Sequence, residues 1–219
     1  MQQLNLNFSS EANYYNTLHD NGVDLSSDKI LVQLFSSITE KETLQEIAEK
    51  ILRVTPNATL IGSTTAGEIF EGRMHEKSTV LAVSIFKSTT ISSAYCEGID
   101  SEVLGEELFK LLYHDNSKCM ISFVDGLQHN GEIFLSGMNK HNSSLVPISG
   151  GMAADLMSFE TTYTIYNNVV FSGGAVGISL SGDALEAYQD YNLGWRAIGP
   201  TFTITKSCNN VVGYVGVNG

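Results

Sequence analysis

Apolar residues run along the chain in two alternating patterns, continuous stretches of strand length and stretches of helical spacing. The opening tract to about Ser27 is polar, and its Asn21-Gly22 pair marks a turn. KILVQLFSS, Lys29 to Ser37, is a continuous apolar run that predicts a buried strand. TEKETLQEIAEKILRV follows with Leu44, Ile47, Ala48, Ile51 and Leu52 on one helical face. Thr39 and Glu42 have the spacing of a capping box at the start of that helix. ATLIG returns as a strand, giving the strand–helix–strand order of a βαβ unit.

STVLAVSIF and TTISSAYCEG predict two more strands, separated around Lys87-Ser88. SEVLGEELFKLLYH predicts an amphipathic helix with Val103, Leu104, Leu108, Leu111 and Leu112 on its apolar side. A second cycle then runs through the strand CMISFVDG, a helix over GEIFLSGMNKHN and the strand SLVPISGG. FETTYTIY, Asn167-Asn168 and VVFSGGAVGISL predict a hairpin whose turn accepts positive φ at both asparagines. PTFTITKS, Asn209-Asn210 and VVGYVGV repeat that signal. The expected fold class is α/β, with mixed sheets built from two similar βαβ-containing halves and β-hairpins toward the C-terminus. The boundaries are a polar segment over 1–28, a main domain over 29–190 and a further segment over 191–219.

Composition narrows the function classes. Apolar residues make up 42 %, enough for a sizeable core. Acidic residues outnumber basic ones 24 to 12 for a net charge of −12, and no stretch concentrates lysine or arginine, which disfavours nucleic acid. MQQLNLNFSS has neither the basic nor the apolar region of a signal peptide, and no stretch approaches a membrane span. Cys96, Cys119 and Cys208 lie in separate segments without a C-x-x-C pair, as reduced, buried thiols in a cytoplasmic protein would.

Two small-residue turns carry the candidate chemistry. LIGSTTAGE has the two glycines of a P-loop at Gly62 and Gly67, but Glu68 and Ile69 stand where lysine and a hydroxyl are needed. A carboxylate there repels phosphate, so nucleotide hydrolysis is not expected. Ser63 is one position too early for a nucleophile elbow, and none of the five histidines has a catalytic or metal-binding spacing. No enzyme activity, metal or cofactor is expected. PISGGMAAD repeats the plan, closing on Asp155. Small side chains at strand ends let a ligand approach the backbone. Glu68 or Asp155 would take a ligand ammonium group while Ser63, Thr64 and Thr65 offer hydroxyls, a pocket suited to a zwitterion such as an amino acid. The alternative is two tight turns whose acids cap the following segment.

GSTTAGEI, ISGGMAAD…FSGGAVGISL and YNLGWRAIGPTFTITKS together resemble the FIST domain, a sensory module of bacterial signalling proteins and of a eukaryotic F-box protein. The third motif is similar to the opening of that family's C-terminal subdomain, with Gly194, Trp195, Arg196, Ile198, Gly199 and Pro200 matching and Ala197 replacing a proline. The resemblance implies that 29–190 is the N-terminal sensory domain and 191–219 the start of the C-terminal one. That subdomain is longer in the family, so a truncated or short member is expected. The resemblance further implies a cytoplasmic input domain for amino acids or their derivatives. Its output partners would be histidine kinases, cyclic-di-nucleotide enzymes or chemoreceptor signalling regions.

The candidate ligand-binding residues are Ser63, Thr64, Thr65, Gly67 and Glu68 of the first turn and Gly150, Gly151, Met152 and Asp155 of the second. Glu68 either holds a ligand amine or caps backbone N–H groups, and Met152 would form an apolar wall. Asp125, at a strand's carboxyl end, is a ligand contact or a helix-start turn. Trp195 and Arg196 are an aromatic platform with a bidentate carboxylate donor, or a latch between subdomains. A scaffold that dimerises through the last hairpin is the competing function.

Overall fold

Leu4, Leu6 and Phe8 alternate with polar residues, and this stretch forms strand β1 (Gln2–Asn7) with Leu6 buried. The computed structural model describes residues 1–190, 194, 196, 198, 199, 201–208 and 211–217. They fall into two units, Met1–Tyr188 and Gln189–Gly219. The polar opening tract lies within the first unit. Ser10 accepts a hydrogen bond from the Asn13 N–H at 3.1 Å and starts α1 (Glu11–Asp20), which buries Tyr14 and Leu18 one turn apart.

β2 (Ile30–Ser36), α2 (Lys41–Val54) and β3 (Thr59–Thr64) form the expected βαβ unit, with β2 and β3 parallel. Helix α2 buries Leu44, Ile47, Ala48 and Ile51 as its periodicity requires. The Thr39–Glu42 capping box does not form. Glu40 holds the N-cap position and its side chain makes no cap bond, leaving Thr39 one residue too early. A short hairpin, β4 (Glu68–Phe70) and β5 (Arg73–His75), precedes β6 (Thr79–Ile85). Strand β6 returns antiparallel between β1 and β2.

The same order then repeats. β7 (Thr90–Glu97), α3 (Ser101–Leu112), β8 (Ser117–Val124), α4 (Gly131–Asn139) and β9 (Ile148–Met152) lead to β12 (Gly174–Ser181). Strand β12 inserts antiparallel between β7 and β8, and β8 and β9 are parallel. The halves therefore begin at β1 and β7, each an edge strand followed by a helix. Between β9 and β12 the chain forms β10 (Thr164–Tyr166) and β11 (Val169–Phe171), which leave the second half and extend the first sheet beyond β3. Their Asn167-Asn168 turn has positive φ at Asn167 alone, whose Oδ1 accepts from the Leu60 N–H at 3.1 Å. Both mixed sheets and the hairpins agree with the expected α/β class.

Three apolar clusters make the layers. Helices α1 and α2 cover the outer face of the first sheet through Tyr14, Leu18, Leu44 and Ile51 against Val32, Leu34 and Leu60. Helices α3 and α4 cover the second sheet. Leu31, Ile61, Phe123, Val176 and Ile178 pack between the two sheets. Each fully buried aliphatic side chain contributes about 2 kcal/mol by leaving water.

The inward face of helix α3 keeps Leu104, Leu108 and Leu112 of the expected side but is shifted from it. Gly105 and Phe109 are buried beside Leu104, Leu108 and Leu112, whereas Val103 and Leu111 are exposed. The cause is the α4 crossing. A Cβ on Gly105 would sit 2.1 Å from the Phe134 carbonyl oxygen, and one on Gly137 2.1 Å from that of Glu102, so each glycine lies against the backbone of the opposite helix.

The three thiols are free, but Cys208 is exposed, contrary to the expectation of burial, while Cys96 and Cys119 are half-buried. Burial, with the Glu107 charge adding to it, pushes the Cys96 thiol up to about 12. The second unit contains an antiparallel hairpin, β13 (Phe202–Cys208) and β14 (Val211–Val217). Its Asn209-Asn210 turn lies outside the described residues. No described helix is long and apolar enough to cross a membrane.

Candidate functional site

Parallel strands leave a crevice at their carboxyl ends, and here two such ends meet. Strands β3 and β9 hold equivalent places in the two halves. The Ala154 N–H just after β9 donates to the Thr64 carbonyl at the end of β3, at 2.9 Å. On the inner faces beside this stitch lies a cavity of about 430 Å³, within the ~300–1,000 Å³ usual for small-molecule sites.

Its walls come from both halves. Gln33, Phe35, Ser63 and Thr65 line it from the first sheet, and Ile121, Phe123 and Ser149 to Met152 from the second. Phe35 and Phe123 meet edge to face with centroids 5.5 Å apart. The two strand registers make them counterparts, since Phe35 pairs with Ser63 and Phe123 pairs with Gly151. Ser63 is only 4 % exposed yet lines the cavity.

Five candidate residues therefore meet at one cavity: Ser63, Thr65, Gly150, Gly151 and Met152. Gly150, Gly151 and Met152 do so from within strand β9 and not from a turn, because β8 offers them a parallel partner. Gly150 is required there, since a Cβ would lie 1.8 Å from the Ser122 carbonyl oxygen. A Cβ on Gly151 would meet nothing within 4 Å. Gly67, at φ 134°, shapes the loop between β3 and β4.

Asp125 and Asp155 take the turn-closing roles of the alternative reading, and Glu68 binds loop hydroxyls. Glu68 is buried and does not line the cavity. Its carboxylate accepts from the Thr65 hydroxyl at 2.5 Å, the Ser37 hydroxyl at 3.0 Å and the Ser78 hydroxyl. It neither faces a ligand amine nor caps backbone N–H groups; it fixes three hydroxyls of the surrounding loops. Asp125, fully buried, accepts from the N–H groups of Leu127 and Gln128 at 2.9 Å, the Thr162 hydroxyl at 2.9 Å and the Gly173 N–H at 2.8 Å. It therefore closes a turn and does not enter the cavity.

Asp155 accepts from the Ser158 hydroxyl at 2.7 Å and from the N–H groups of Phe159, Glu160 and Thr161 at 3.0, 2.9 and 3.4 Å. Burial pushes its carboxyl up, but these four donors outweigh it and hold the group at about 2. Asp155 borders a second, smaller cavity of about 200 Å³ with Ala66, Ala154 and Phe159. Arg196 is exposed in the second unit, and Trp195 lies outside the described residues.

Gln33, Phe35, Ile121, Phe123 and Ser149 were not singled out from the sequence. Gln33 gave the clearest missed signal, a lone amide in the apolar run ILVQLF. His129, another buried polar side chain, bonds through Nδ1 to the Ser101 hydroxyl at 3.2 Å, while its Nε2 has no partner.

The FIST N domain family model matches residues 30–214. This chain belongs to the FIST family. A FIST domain is a sensory signal-transduction module. No curated protein matches the sequence. The FIST match covers all the cavity-lining residues and continues through most of the β13–β14 hairpin.

Proposed function

We propose that this FIST domain is a cytoplasmic, non-enzymatic input domain that binds an amino acid or a derivative of one in the inter-sheet cavity. The observation that carries this reading is the convergence of Ser63 and Thr65 from one half with Gly150, Gly151 and Met152 from the other on one cavity of ligand size. Hydroxyls and an amide would orient the ligand, while Phe35 and Phe123 cover its apolar part; the Met152 side chain points to the other face of β9, against Gly131 of α4. Glu68 and Asp155 serve by fixing the loops around the site. Binding would bridge the two halves and so report ligand to an output partner. A histidine kinase, a cyclic-di-nucleotide enzyme or a chemoreceptor region fits that role.

A thermal-shift panel of amino acids, carboxylates and amines tests the reading. A ligand at a hundred times its Kd adds about 2.7 kcal/mol of stability, an effect readily seen. Gly151→Leu, which places a side chain in the cavity, should abolish the response without unfolding the protein. A ligand that stabilises both proteins equally would place binding elsewhere.

The competing scaffold reading has an observation of its own. The β13–β14 hairpin exposes Phe202, Ile204, Tyr214 and Val215, which suits strand pairing with a second copy. Sedimentation that gives a monomer at high concentration would count against it.

A further inference from the structure

The walls of the inter-sheet cavity include no ionisable side chain among the described residues. The cavity is open to solvent along β9, where Ser149, Gly150 and Gly151 are exposed, and a charged group that gives up water for its walls finds no counter-charge on them. The two nearby acids do not supply one. Glu68 stands outside the cavity with three hydroxyls on its oxygens, and Asp155 is wrapped by Ser158 and three backbone N–H groups beside the smaller cavity.

What the cavity does offer is neutral hydrogen bonding. Among the described residues, neither the Ser63 hydroxyl nor the Gln33 carboxamide has a protein partner, although Ser63 is more than nine-tenths buried and Gln33 half-buried. Both line the cavity. Gln33 and Phe35 lie two residues apart on β2, and Phe35 is paired with Ser63 on β3, so all three share the inner face. A carboxamide presents a donor and an acceptor side by side, and a hydroxyl can do either. A hydroxyl and a carboxamide that face the cavity without a protein partner are free to complete a ligand's hydrogen bonds.

We infer that the ligand is uncharged where it enters the cavity and carries an amide edge on an apolar body. Its N–H and C=O would meet Gln33 and Ser63, and its apolar part would lie against Phe35 and Phe123. This inference rests on the ligand-binding reading above and narrows it from amino acids in general to derivatives whose two charges are masked, such as N-acylated amides or cyclic dipeptides.

Matched charge variants of one side chain decide it. Leucine, leucinamide, N-acetyl-leucine and N-acetyl-leucinamide, with the same four forms of phenylalanine, are titrated into the full chain and followed by calorimetry. The neutral N-acetyl amides should bind tightest. Ser63→Ala and Gln33→Ala should each weaken them by about tenfold, the value of one hydrogen bond. Gly151→Leu should eliminate binding. Free leucine or phenylalanine binding as tightly as the neutral form, and lost in Gly151→Leu, would overturn the inference while leaving the ligand-binding reading intact. Neutral probes indifferent to both alanine substitutions would overturn it as well. Silence of all eight compounds would overturn the inference, and the ligand-binding reading would fall separately if the thermal-shift panel were also silent.

Discussion

Gly62 and Gly150 occupy equivalent positions in the two halves and are excluded from bearing a side chain by equivalent atoms. Gly62 pairs with Leu34 across β2–β3, and Gly150 pairs with Ser122 across β8–β9. A Cβ on Gly62 would lie 2.4 Å from the Leu34 carbonyl oxygen, and one on Gly150 1.8 Å from that of Ser122. The next residues differ: Ser63 presents a hydroxyl to the cavity, and Gly151 leaves open space. The same backbone plan is thus used twice, and the difference at one position leaves open space beside β9.

Gly62→Ala and Gly150→Ala should each destabilise the protein by about 2–3 kcal/mol, because backbone must move to admit the methyl group. Gly151→Ala should be neutral or stabilising by about 0.5–1 kcal/mol, since its Cβ meets nothing and the unfolded chain loses freedom. Urea denaturation of the three variants gives the comparison directly.

The α3–α4 crossing makes a second packing prediction. Gly105→Ala or Gly137→Ala forces the helices apart at their closest approach and should cost about 1–3 kcal/mol. Leu111→Ala, at an exposed position of α3, should change stability by less than about 0.5 kcal/mol. Equal effects from Gly105→Ala and Leu111→Ala would contradict the observed helix face.

Glu68→Ala should destabilise by about 2–3 kcal/mol by leaving the hydroxyls of Ser37, Thr65 and Ser78 without their common acceptor. Glu68→Gln keeps one acceptor oxygen and should lose less. Chemical denaturation measures both, and calorimetry on the stable variant checks that ligand affinity is retained.

The βαβ unit and both hairpins were legible because long apolar runs and paired turn residues are local signals. Strand β1 and helix α1 were not, although Leu4, Leu6 and Phe8 alternate and Tyr14 and Leu18 lie one turn apart. Their polar neighbours hid the pattern. The cavity was half legible. Ser63, Gly150 and Gly151 stood out as small residues near acids, but the acids drew attention to loop tips. Gln33, Phe35 and Phe123 reach the site through strand register, since alternate residues face the other sheet. Only the packing of the two sheets brings those positions together.

The carboxyl of Asp155 gives a pH signature. Its folded value of about 2 lies below the ordinary 3.8, so its contribution is complete above the unfolded value and is lost as pH falls through the folded one. The melting-temperature gap between the wild-type protein and Asp155→Asn should therefore be constant above that window and narrow within it. A gap unchanged across the window would show that the charge on Asp155 does not stabilise its loop.

The most direct test of the central claim is amide chemical-shift mapping of the ¹⁵N-labelled chain with the compound that stabilises it most. The account predicts the largest shifts at Gln33, Ser63, Gly150 and Gly151, from both halves at once, and their loss in Gly151→Leu. Shifts confined to other surfaces, with those four residues unmoved, would contradict it.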